Sequence, residues 1–324
     1  MIRIPALMRA TALAAALALP AIAMAQEYPT KPVRVVSPLA PGAGSDVELR
    51  FFQKFLESRM KQPIIIDNRP GSATLIGTEV VARAEPDGYT LLWTTGNLTI
   101  LKALYKNLSF DPLTDLEPIS MGGTFGTVLA VTKKLPINNY AEFLSYAKAN
   151  PGKLNYASIG PGVIYMGIEA LKREAGINMV EIPYPGGQGA YSKALMSDEV
   201  QFVMLSLGVG KQMTDEKQVT PLMALDEKRY PQLPDVPTTQ ELGLKSVITA
   251  GWYGMLAPKG TPKSIIDFWA REIRAYVDSP EAQKRKTETI FLPVGNTPEE
   301  FRQVIARQNK TWLELADVLK IEKQ

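Results

Sequence analysis

The stretch VRVVSPLAPGAGSDVELR at residues 33–50 decides the fold class of this chain. It opens with VRVVS, which is rich in valine and has Arg34 as its only charge, and this pattern predicts a buried strand of a parallel sheet. Residues 38–44 cannot continue the strand, because they contain two prolines and two glycines. Ser45 and Glu48 have the spacing of a capping box, so a helix is predicted to begin at Ser45.

A strand, a glycine-containing loop and the start of a helix together direct free backbone N–H groups at an anion. We therefore predict that this loop binds a carboxylate, and the alternative is an ordinary strand-to-helix connection. Val47 stands where a dinucleotide-binding fingerprint would have its third glycine, which disfavours a nucleotide site. An ionised Asp46 would repel a bound carboxylate, so we expect it to cap the helix or to act through water.

The start of the chain has the pattern of a secretory signal peptide. Arg3 and Arg9 precede an apolar run at residues 10–19, and Ala23-Met24-Ala25 is a small-x-small cleavage site. We predict a signal peptide over residues 1–25 and a periplasmic mature protein. The cysteine that a lipid anchor would need is replaced by Gln26. The total of 324 residues suggests two domains.

Composition excludes several functional classes. Without Arg3 and Arg9 the chain has 34 basic and 33 acidic residues, which argues against a nucleic-acid partner. It has no histidine and no cysteine, which excludes Ser-His-Asp and thiol catalysis, disulfides and most zinc sites. We therefore predict a protein that is not an enzyme and has no cofactor or metal. A hydrolase with paired carboxylates stays open as an alternative.

The rest of the chain alternates between strand and helix patterns, which predicts an α/β fold with parallel sheets. The first helix is expected to bury Val47, Phe51 and Phe55, with Leu56 as a further candidate for the same face. The second half repeats the opening pattern, with a strand, Gly160-Pro161-Gly162 and a helix in succession. The predicted strands span residues 33–37, 64–66, 89–94, 128–131, 154–158, 180–184, 200–205, 221–225 and 252–257. The predicted helices span residues 46–60, 74–84, 138–149, 163–175, 191–197, 262–277 and 298–319.

Seven segments carry a resemblance to a known family. They are YPTKPVRVVSPLAPGAGSD at 28–46, DNRPGSATLIG at 67–77, EPDGYTLL at 85–92, NPGKLNYASIGPG at 150–162, PYPGGQGA at 183–190, LPDVPTTQELGL at 233–244 and WYGMLAPKGTPKSII at 252–266. Their order and spacing resemble those of the periplasmic solute-binding receptors of the tripartite tricarboxylate transporter family, also called the Bug family.

The resemblance implies a two-lobed periplasmic-binding-protein fold with two interlobe crossovers. Lobe 1 would comprise residues 26–126 and 250–324, and lobe 2 residues 127–249. In this family a carboxylate is held by backbone amides of one glycine loop in each lobe, which correspond to residues 39–46 and 158–163. The implied partners are a large and a small integral membrane subunit, with the receptor a monomer. A sensor of the same fold that signals to a membrane kinase is an alternative.

Two departures from the family pattern concern ligand choice. The second loop continues with Val163 to Met166 where the family has small polar residues, and Leu205-Ser206 replaces a cleft-facing Asp-Asn pair. A polar ligand group that is desolvated without a partner costs about 1–3 kcal/mol. We therefore predict selection by these residues for an aromatic or apolar-centred carboxylate or dicarboxylate, such as terephthalate or a linear dicarboxylate.

The candidate ligand-binding residues follow from the glycine loops and from the ends of predicted strands, where ligands of open parallel sheets bind. They are Leu39, Pro41, Gly42, Ala43, Gly44, Ser45, Asp46, Thr95, Ser158, Gly160, Pro161, Gly162, Val163, Gly186, Gly187 and Ser206. For Gly186 and Gly187, turn geometry is the alternative. The Asp67-Asn68-Arg69-Pro70-Gly71 segment is predicted to be a structural turn held by an Asx side chain and an arginine.

Overall fold

The computed structural model describes residues 28–160, 162–184, 187–226, 228–244, 251–288 and 291–324. The predicted signal peptide lies outside the described residues. The strands are β1 (Val33–Ser37), β2 (Ile64–Asn68), β3 (Thr90–Thr95), β4 (Leu116–Phe125), β5 (Thr127–Thr132), β6 (Asn155–Ser158), β7 (Val180–Pro183), β8 (Phe202–Ser206), β9 (Val219–Ala224), β10 (Trp252–Pro258) and β11 (Phe291–Pro293). The helices are α1 (Gly44–Glu57), α2 (Leu75–Ala82), α3 (Leu101–Leu104), α4 (Tyr140–Ala149), α5 (Val163–Ala175), α6 (Gln188–Ser197), α7 (Leu207–Asp215), α8 (Lys263–Val277), α9 (Pro280–Glu288) and α10 (Pro298–Leu319), with 3₁₀ segments at Ser72–Thr74 and Gly96–Ile100.

The strands form two separate sheets, which gives the two-lobed α/β fold that was predicted, although both sheets are mixed rather than wholly parallel. The sheet of lobe 1 has the order β11-β4-β10-β3-β1-β2, and the sheet of lobe 2 has the order β7-β6-β8-β5-β9. In lobe 1, β1 pairs in parallel with β2 and β3, whereas β10 runs antiparallel to β3 and β4. In lobe 2, β6 pairs in parallel with β7 and β8, whereas β5 runs antiparallel to β8 and β9.

The strand directions bring the carboxyl ends of the parallel strands of both lobes to the junction between the lobes. β4 runs parallel to β3, since both are antiparallel to β10, so Phe125 at the end of β4 lies at the edge where β1, β2 and β3 end. After the single residue Gly126, β5 begins at Thr127, which pairs with Ser206 at the end of β8. The loops that follow the parallel strands therefore face the junction, where ligands of open sheets bind.

The first helix buries a different face from the one predicted. Leu49, Phe52 and Leu56 are buried in the lobe 1 core, and Phe55 packs against that core. Phe51 is 40% exposed, so the buried face is rotated from the predicted one and the prediction is wrong at Phe51. The Phe52 ring stacks on Trp93 of β3 at 5.9 Å between centroids. The predicted and the observed sets of apolar residues both have helical spacing. Which set is buried depends on the side of the helix on which the sheet lies.

Each predicted strand and helix is present, with shifts of a few residues at the ends. Five strands and helices were not predicted, namely β4, β11, α3, α7 and α9. The sequence of β4, LEPISMGGTF, contains one proline and two glycines, which weaken a strand prediction. Its glycines allow close contact instead, since a Cβ on Gly122 would lie 2.4 Å from the Trp93 ring.

The first crossover between the lobes passes through Gly126. The Phe125 N–H donates to the carbonyl of Gly251 at 2.9 Å, which joins this crossover to the start of β10. Tyr253 stacks on Phe125 at 4.9 Å between centroids, as expected for an aromatic residue near a crossover. The exact lobe boundaries at residues 126/127 and 249/250 stay predictions, and residues 245–250 lie outside the described residues.

Substitution of Gly126 by alanine is expected to destabilise the protein. The new Cβ would lie 2.8 Å from the Tyr230 ring and 2.9 Å from a Leu207 methyl group. Overpacking of this kind costs about 1–3 kcal/mol, measurable by urea denaturation. Gly189→Ala is the matched control, because its Cβ would meet nothing within 4 Å and it lies in α6, where alanine is favoured. Equal stability of the two variants would contradict the packing assigned to Gly126.

Candidate functional site

The two predicted glycine loops belong to facing edges of the two lobes. The first lies between β1 and α1, and the second between β6 and α5. A contact between the lobes lies beside the second loop, where the Val163 N–H donates to Asn97 Oδ1 at 3.4 Å. Met166 of α5 packs with Ile100 and Trp312 of lobe 1 in one buried cluster. The structure thus brings the predicted loop of lobe 2 against the 3₁₀ segment that follows Thr95.

The predicted capping box of the first helix is wrong. Helix α1 begins at Gly44, and its N-cap is Ala43, which has no polar side chain. Ser45 is buried, and its hydroxyl has no hydrogen-bond partner among the described residues. Glu48 instead forms a buried ion pair with Arg285 of α9, with Arg285 Nε donating at 3.2 Å. Spacing could not show this, because the partner comes from a helix more than 200 residues later.

Burial dominates the electrostatics of Glu48. It raises the pKa of the Glu48 carboxyl above its usual value, although the hydrogen bonds and charge of Arg285 act in the opposite direction. Removing only one partner of such a buried pair leaves an uncompensated charge, which is strongly destabilising. The pair therefore fixes α9 against α1, behind the first loop.

Asp46 organises the first loop from within the protein. Its side chain is 0% exposed and accepts hydrogen bonds from Gly42 N–H at 2.8 Å, Arg50 Nε at 2.9 Å and Asn68 Nδ2 at 2.8 Å. Burial disfavours the ionised form, but the hydrogen bonds from Arg50, Gly42 and Asn68 outweigh it and hold the pKa of Asp46 below its usual value. Asn68 also donates to the Leu39 carbonyl at 3.0 Å.

These contacts support a structural role for residues 67–71, although Asp67 and Asn68 belong to β2 rather than to the predicted turn. Asn68 joins this segment to the first loop, and Arg69 Nε donates to Asp67 Oδ1 at 2.9 Å. Arg34 also pairs with Asp67, and together the two arginines hold the pKa of that carboxyl below its usual value against its partial burial.

The second loop is held by Ser158. The Ser158 hydroxyl accepts from Gly160 N–H at 2.9 Å and donates to the carboxylate of Glu181. Gly160 has φ +93°, and a Cβ on it would meet nothing within 4 Å, so the loop borders open space. Gly162 is the N-cap of α5 and provides no side-chain cap. Pro161 and Gly186 lie outside the described residues.

Some of the predicted loop amides are already used inside the protein. Gly42 donates its N–H to Asp46, and Gly160 donates its N–H to Ser158. The Val163 N–H likewise donates to Asn97 Oδ1. The first N–H groups of a helix have no acceptor within the helix, and the N-cap residues of α1 and α5 provide no side-chain cap. The first turns of these two helices are therefore the parts of the loops best able to bind an anion.

Two residues predicted to select the ligand lie in the interior of the protein. Leu205 is 0% exposed in the core of lobe 2, and Met166 is 0% exposed between the lobes. Neither side chain lines an open cleft. Successive residues of a strand point to opposite faces, so Leu205 faces the lobe 2 core while Ser206 faces away from it. Met166 packs with Trp312 of α10. Ser206 is bound by Gln188, whose Nε2 donates to the serine hydroxyl and whose Oε1 accepts from its N–H, both at 3.0 Å.

Two other predicted positions have well-defined roles. Thr95 Oγ1 accepts from the Asn97 N–H at 3.4 Å and so caps the 3₁₀ segment that reaches lobe 2. Gly187 has φ +74°, is the N-cap of α6 and donates its N–H to the Tyr184 carbonyl at 3.0 Å. Gly187 thus has the turn geometry that was predicted as the alternative to ligand contact.

Four serine and threonine hydroxyl groups are buried near the ends of lobe 1 strands. The four residues are Ser37, Ser45, Thr74 and Thr94. Of these four residues, only Ser45 was predicted from the sequence as a candidate ligand-binding residue. Each residue is at most 3% exposed, and its side-chain oxygen has no hydrogen-bond partner within the described part of the chain. Their shared signal is a serine or threonine at the end of a strand or the start of a helix. Unsatisfied buried oxygens are uncommon in proteins, and a bound water or ligand is one explanation for them.

The cavity found in lobe 1 is separate from the glycine loops. It has a volume of about 450 Å³, and its lining includes Lys102, Tyr105, Phe110 and Lys323. Lys102 in it pairs with Asp111 at 2.7 Å. Over the described ranges there is no group of three or more acidic side chains that could hold a metal ion, and no helix there is long and apolar enough to cross a membrane.

Comparisons with known proteins agree on one family. A family model described as "Tripartite tricarboxylate transporter family receptor" matches residues 49–320. A UPF0065 protein of Bordetella pertussis is 35% identical over 263 residues, which is 80% of each chain. The periplasmic binding protein BugD has a TM-score of 0.82 at 30% identity, covering 92% of this chain and 100% of BugD.

Two further solved structures contain bound acids. Rpa4515 of R. palustris with adipate has a TM-score of 0.83 at 27% identity, covering 92% of this chain and 100% of that chain. MatC of Rhodopseudomonas palustris with bound malate has a TM-score of 0.79 at 27% identity, covering 89% of this chain and 100% of that chain.

Substitution of Asp46 by asparagine is expected to lower the free energy of unfolding by about 1–3 kcal/mol at pH 7, because hydrogen bonds to a buried charge are weakened. The pKa of Asp46 is lowered by folding, so its stabilisation is present above the unfolded pKa of about 3.9 and is lost as the pH falls through the folded pKa. The difference between wild type and variant should therefore shrink below about pH 4 in urea titrations. Asp267→Asn, at an exposed pair with Lys263, is the control and should change stability little.

Proposed function

We propose that this chain, which belongs to the receptor family of tripartite tricarboxylate transporters, captures an organic carboxylate between its two lobes for membrane transport. Receptors of this family bind small carboxylates and work with membrane transporter components. The observation that carries the proposal is that the N-cap residues of α1 and α5, on facing edges of the two lobes, provide no side-chain cap. In α5 the Val163 N–H already donates to Asn97 Oδ1, so the contact expected there is with the N–H groups that follow it. Each helix start presents N–H groups and the positive end of a dipole to an anion.

Binding requires no chemical step. The carboxylate contacts the first turn of α1 in lobe 1 and the first turn of α5 in lobe 2. Because it interacts with both, it favours the arrangement in which the lobes are close together. Arg50 neutralises Asp46 behind the first loop, which limits the repulsion between Asp46 and a bound carboxylate.

The proposed ligand is an aromatic or linear carboxylate with an apolar centre, such as terephthalate. Val163, Ile164 and Tyr165 are half-buried at the start of α5 and support an apolar contact. Leu205 and Met166, which were predicted to select an apolar ligand, do not support this contact, because both side chains are in the protein interior. The adipate and malate of the two neighbours differ in polarity, so they favour a carboxylate without choosing between apolar and hydroxylated acids.

The proposed location is the periplasm, reached through a signal peptide cleaved after Ala25. The proposed partners are a large and a small integral membrane subunit, and the receptor acts as a monomer. A sensor that signals to a membrane kinase is the second candidate, because binding and lobe closure would be the same. The family of this chain and its structural neighbours are solute-binding proteins rather than enzymes.

A ligand screen with two variants of the second loop tests the proposal. Wild type should bind at least one organic carboxylate in isothermal titration calorimetry. Gly160→Asp should weaken that binding about tenfold or more, because it adds an anion beside the site. Gly160→Asn is the matched control, since asparagine has the same size and also tolerates positive φ. Equal affinities of the aspartate and asparagine variants would show that the second loop does not hold the carboxylate.

Gene deletion distinguishes transport from sensing. In the transport case, deletion should abolish uptake of the identified acid, measured with radiolabelled ligand, while its intracellular degradation in extracts persists. If uptake continues under constitutive expression of the pathway and only induction is lost, the sensor function is correct instead.

A further inference from the structure

Four consecutive residues of lobe 1 have positive backbone φ angles. The values are +137° at Gly71, +47° at Ser72, +51° at Ala73 and +83° at Thr74. Residues with side chains are uncommon in this region, and such strain is concentrated at binding and catalytic sites. The backbone strain at residues 71–74 therefore points to a functional role for this turn.

The turn leads into α2, whose N-cap is Thr74. A threonine at this position usually caps its helix with its hydroxyl group. Thr74 makes no such hydrogen bond, and its oxygen has no partner among the residues that the structure describes, although the residue is 2% exposed. The Leu75 N–H already donates to the Ser72 carbonyl. The first turn of α2 carries no acidic side chain, so the positive end of the helix dipole favours a negative charge at the N–H groups that follow Leu75.

Helix α2 begins next to the first glycine loop and close to lobe 2. A Cβ on Gly77 would lie 2.8 Å from Cβ of Pro38, which places the first turn of α2 against the start of that loop. Ala73 packs against the buried cluster that joins Met166 of lobe 2 to Trp312 of lobe 1. The turn therefore lies where the two lobes meet, beside the proposed carboxylate site.

Thr94 adds a second buried hydroxyl group at this edge of the sheet. It follows Leu92 by two residues in β3, so the two side chains share one face. Leu92 belongs to the same core cluster as Val81 of α2, so α2 covers this face. Thr94 is 0% exposed, and its Oγ1 is without a hydrogen-bond partner in the described ranges.

We propose that Thr74, together with Thr94 and the first-turn N–H groups of α2, binds a second carboxylate of the ligand. This inference rests on the proposed function, in which α1 and α5 hold the first carboxylate. It narrows the ligand class to dicarboxylates and makes Thr74 a residue that determines specificity. A buried hydroxyl group without a partner gains most from an ionised acceptor, and the helix dipole favours the same charge.

The test replaces Thr74 by valine, which keeps the branched shape and removes the hydroxyl group. Isothermal titration calorimetry compares adipate with hexanoate, and terephthalate with benzoate, so that each pair differs by one carboxylate. We expect wild type to bind at least one dicarboxylate more tightly than its monocarboxylate. Thr74→Val should weaken dicarboxylate binding roughly tenfold or more, because a hydrogen bond to a charged group is lost. Its affinity for the monocarboxylate should stay close to that of wild type.

Thermal unfolding without ligand provides a second readout and a matched control. Thr74→Val should have a Tm equal to or above that of wild type, since it removes an unsatisfied buried oxygen. Thr220→Val should have a lower Tm and unchanged affinities, because the buried Thr220 hydroxyl donates to the Ile137 carbonyl at 2.9 Å. The two variants make the same chemical change at a partnered and an unpartnered hydroxyl group.

The outcomes separate this inference from the proposed function. If Thr74→Val binds dicarboxylates as wild type does, or loses as much Tm as Thr220→Val, the inference is overturned. It is also overturned if wild type binds other carboxylates but neither adipate nor terephthalate. In each of these cases the proposed function stands as long as Gly160→Asp weakens binding. Only a wild type that binds no carboxylate overturns both.

Discussion

The buried carboxylate of Asp46 is the interaction on which the first half of the site depends. It binds the N–H of Gly42, the guanidinium of Arg50 and the amide of Asn68, and so joins the first loop, helix α1 and strand β2. A buried carboxylate is stable only when such partners compensate for lost water. Because Asp46 keeps its charge inside the protein, the loop has a defined shape before any ligand arrives, and the first-turn N–H groups of α1 face the junction between the lobes.

Most helices that begin at this junction receive no hydrogen bond from the side chain of their N-cap residue, whereas Thr95 caps the 3₁₀ segment there. The helices that follow the parallel strands of both sheets have no side-chain cap, namely α1, α2, α5, α6 and α7. Helices α4 and α10 begin after antiparallel strands at other edges, and their N–H groups are capped by Asn139 and Thr297. Helix α8, which follows the antiparallel strand β10, has no side-chain cap. A side-chain cap typically stabilises a helix by about 1 kcal/mol. The helices at the junction therefore lack the stabilisation of a side-chain cap at positions where a bound anion can accept the N–H hydrogen bonds. Functional sites often lose some stability in this way.

The sequence allowed the lobe architecture and the two loops to be predicted, but it misplaced several side-chain roles. Ser45 was expected to cap α1 with Glu48, whereas Glu48 pairs with Arg285. Leu205 was expected to face the ligand, whereas it is buried in the lobe 2 core. Thr74 was not recognised at all, since nothing in its neighbours shows that its hydroxyl group lacks a partner. Each of these roles depends on a contact with an element distant in sequence.

What the sequence alone determined is local and periodic. Valine-rich strands, the glycines of the loops and the alternation of strands with helices specify an α/β fold, and they place Gly42 and Gly160 at strand-to-helix connections. Only the tertiary structure decided which hydrogen-bonding groups stay free, because a buried donor or acceptor is satisfied by whichever group packs against it. Asp46 occupies the Gly42 amide and Ser158 occupies the Gly160 amide. Free groups are therefore a property of the packed protein, and they lie at the helix starts beside the glycines.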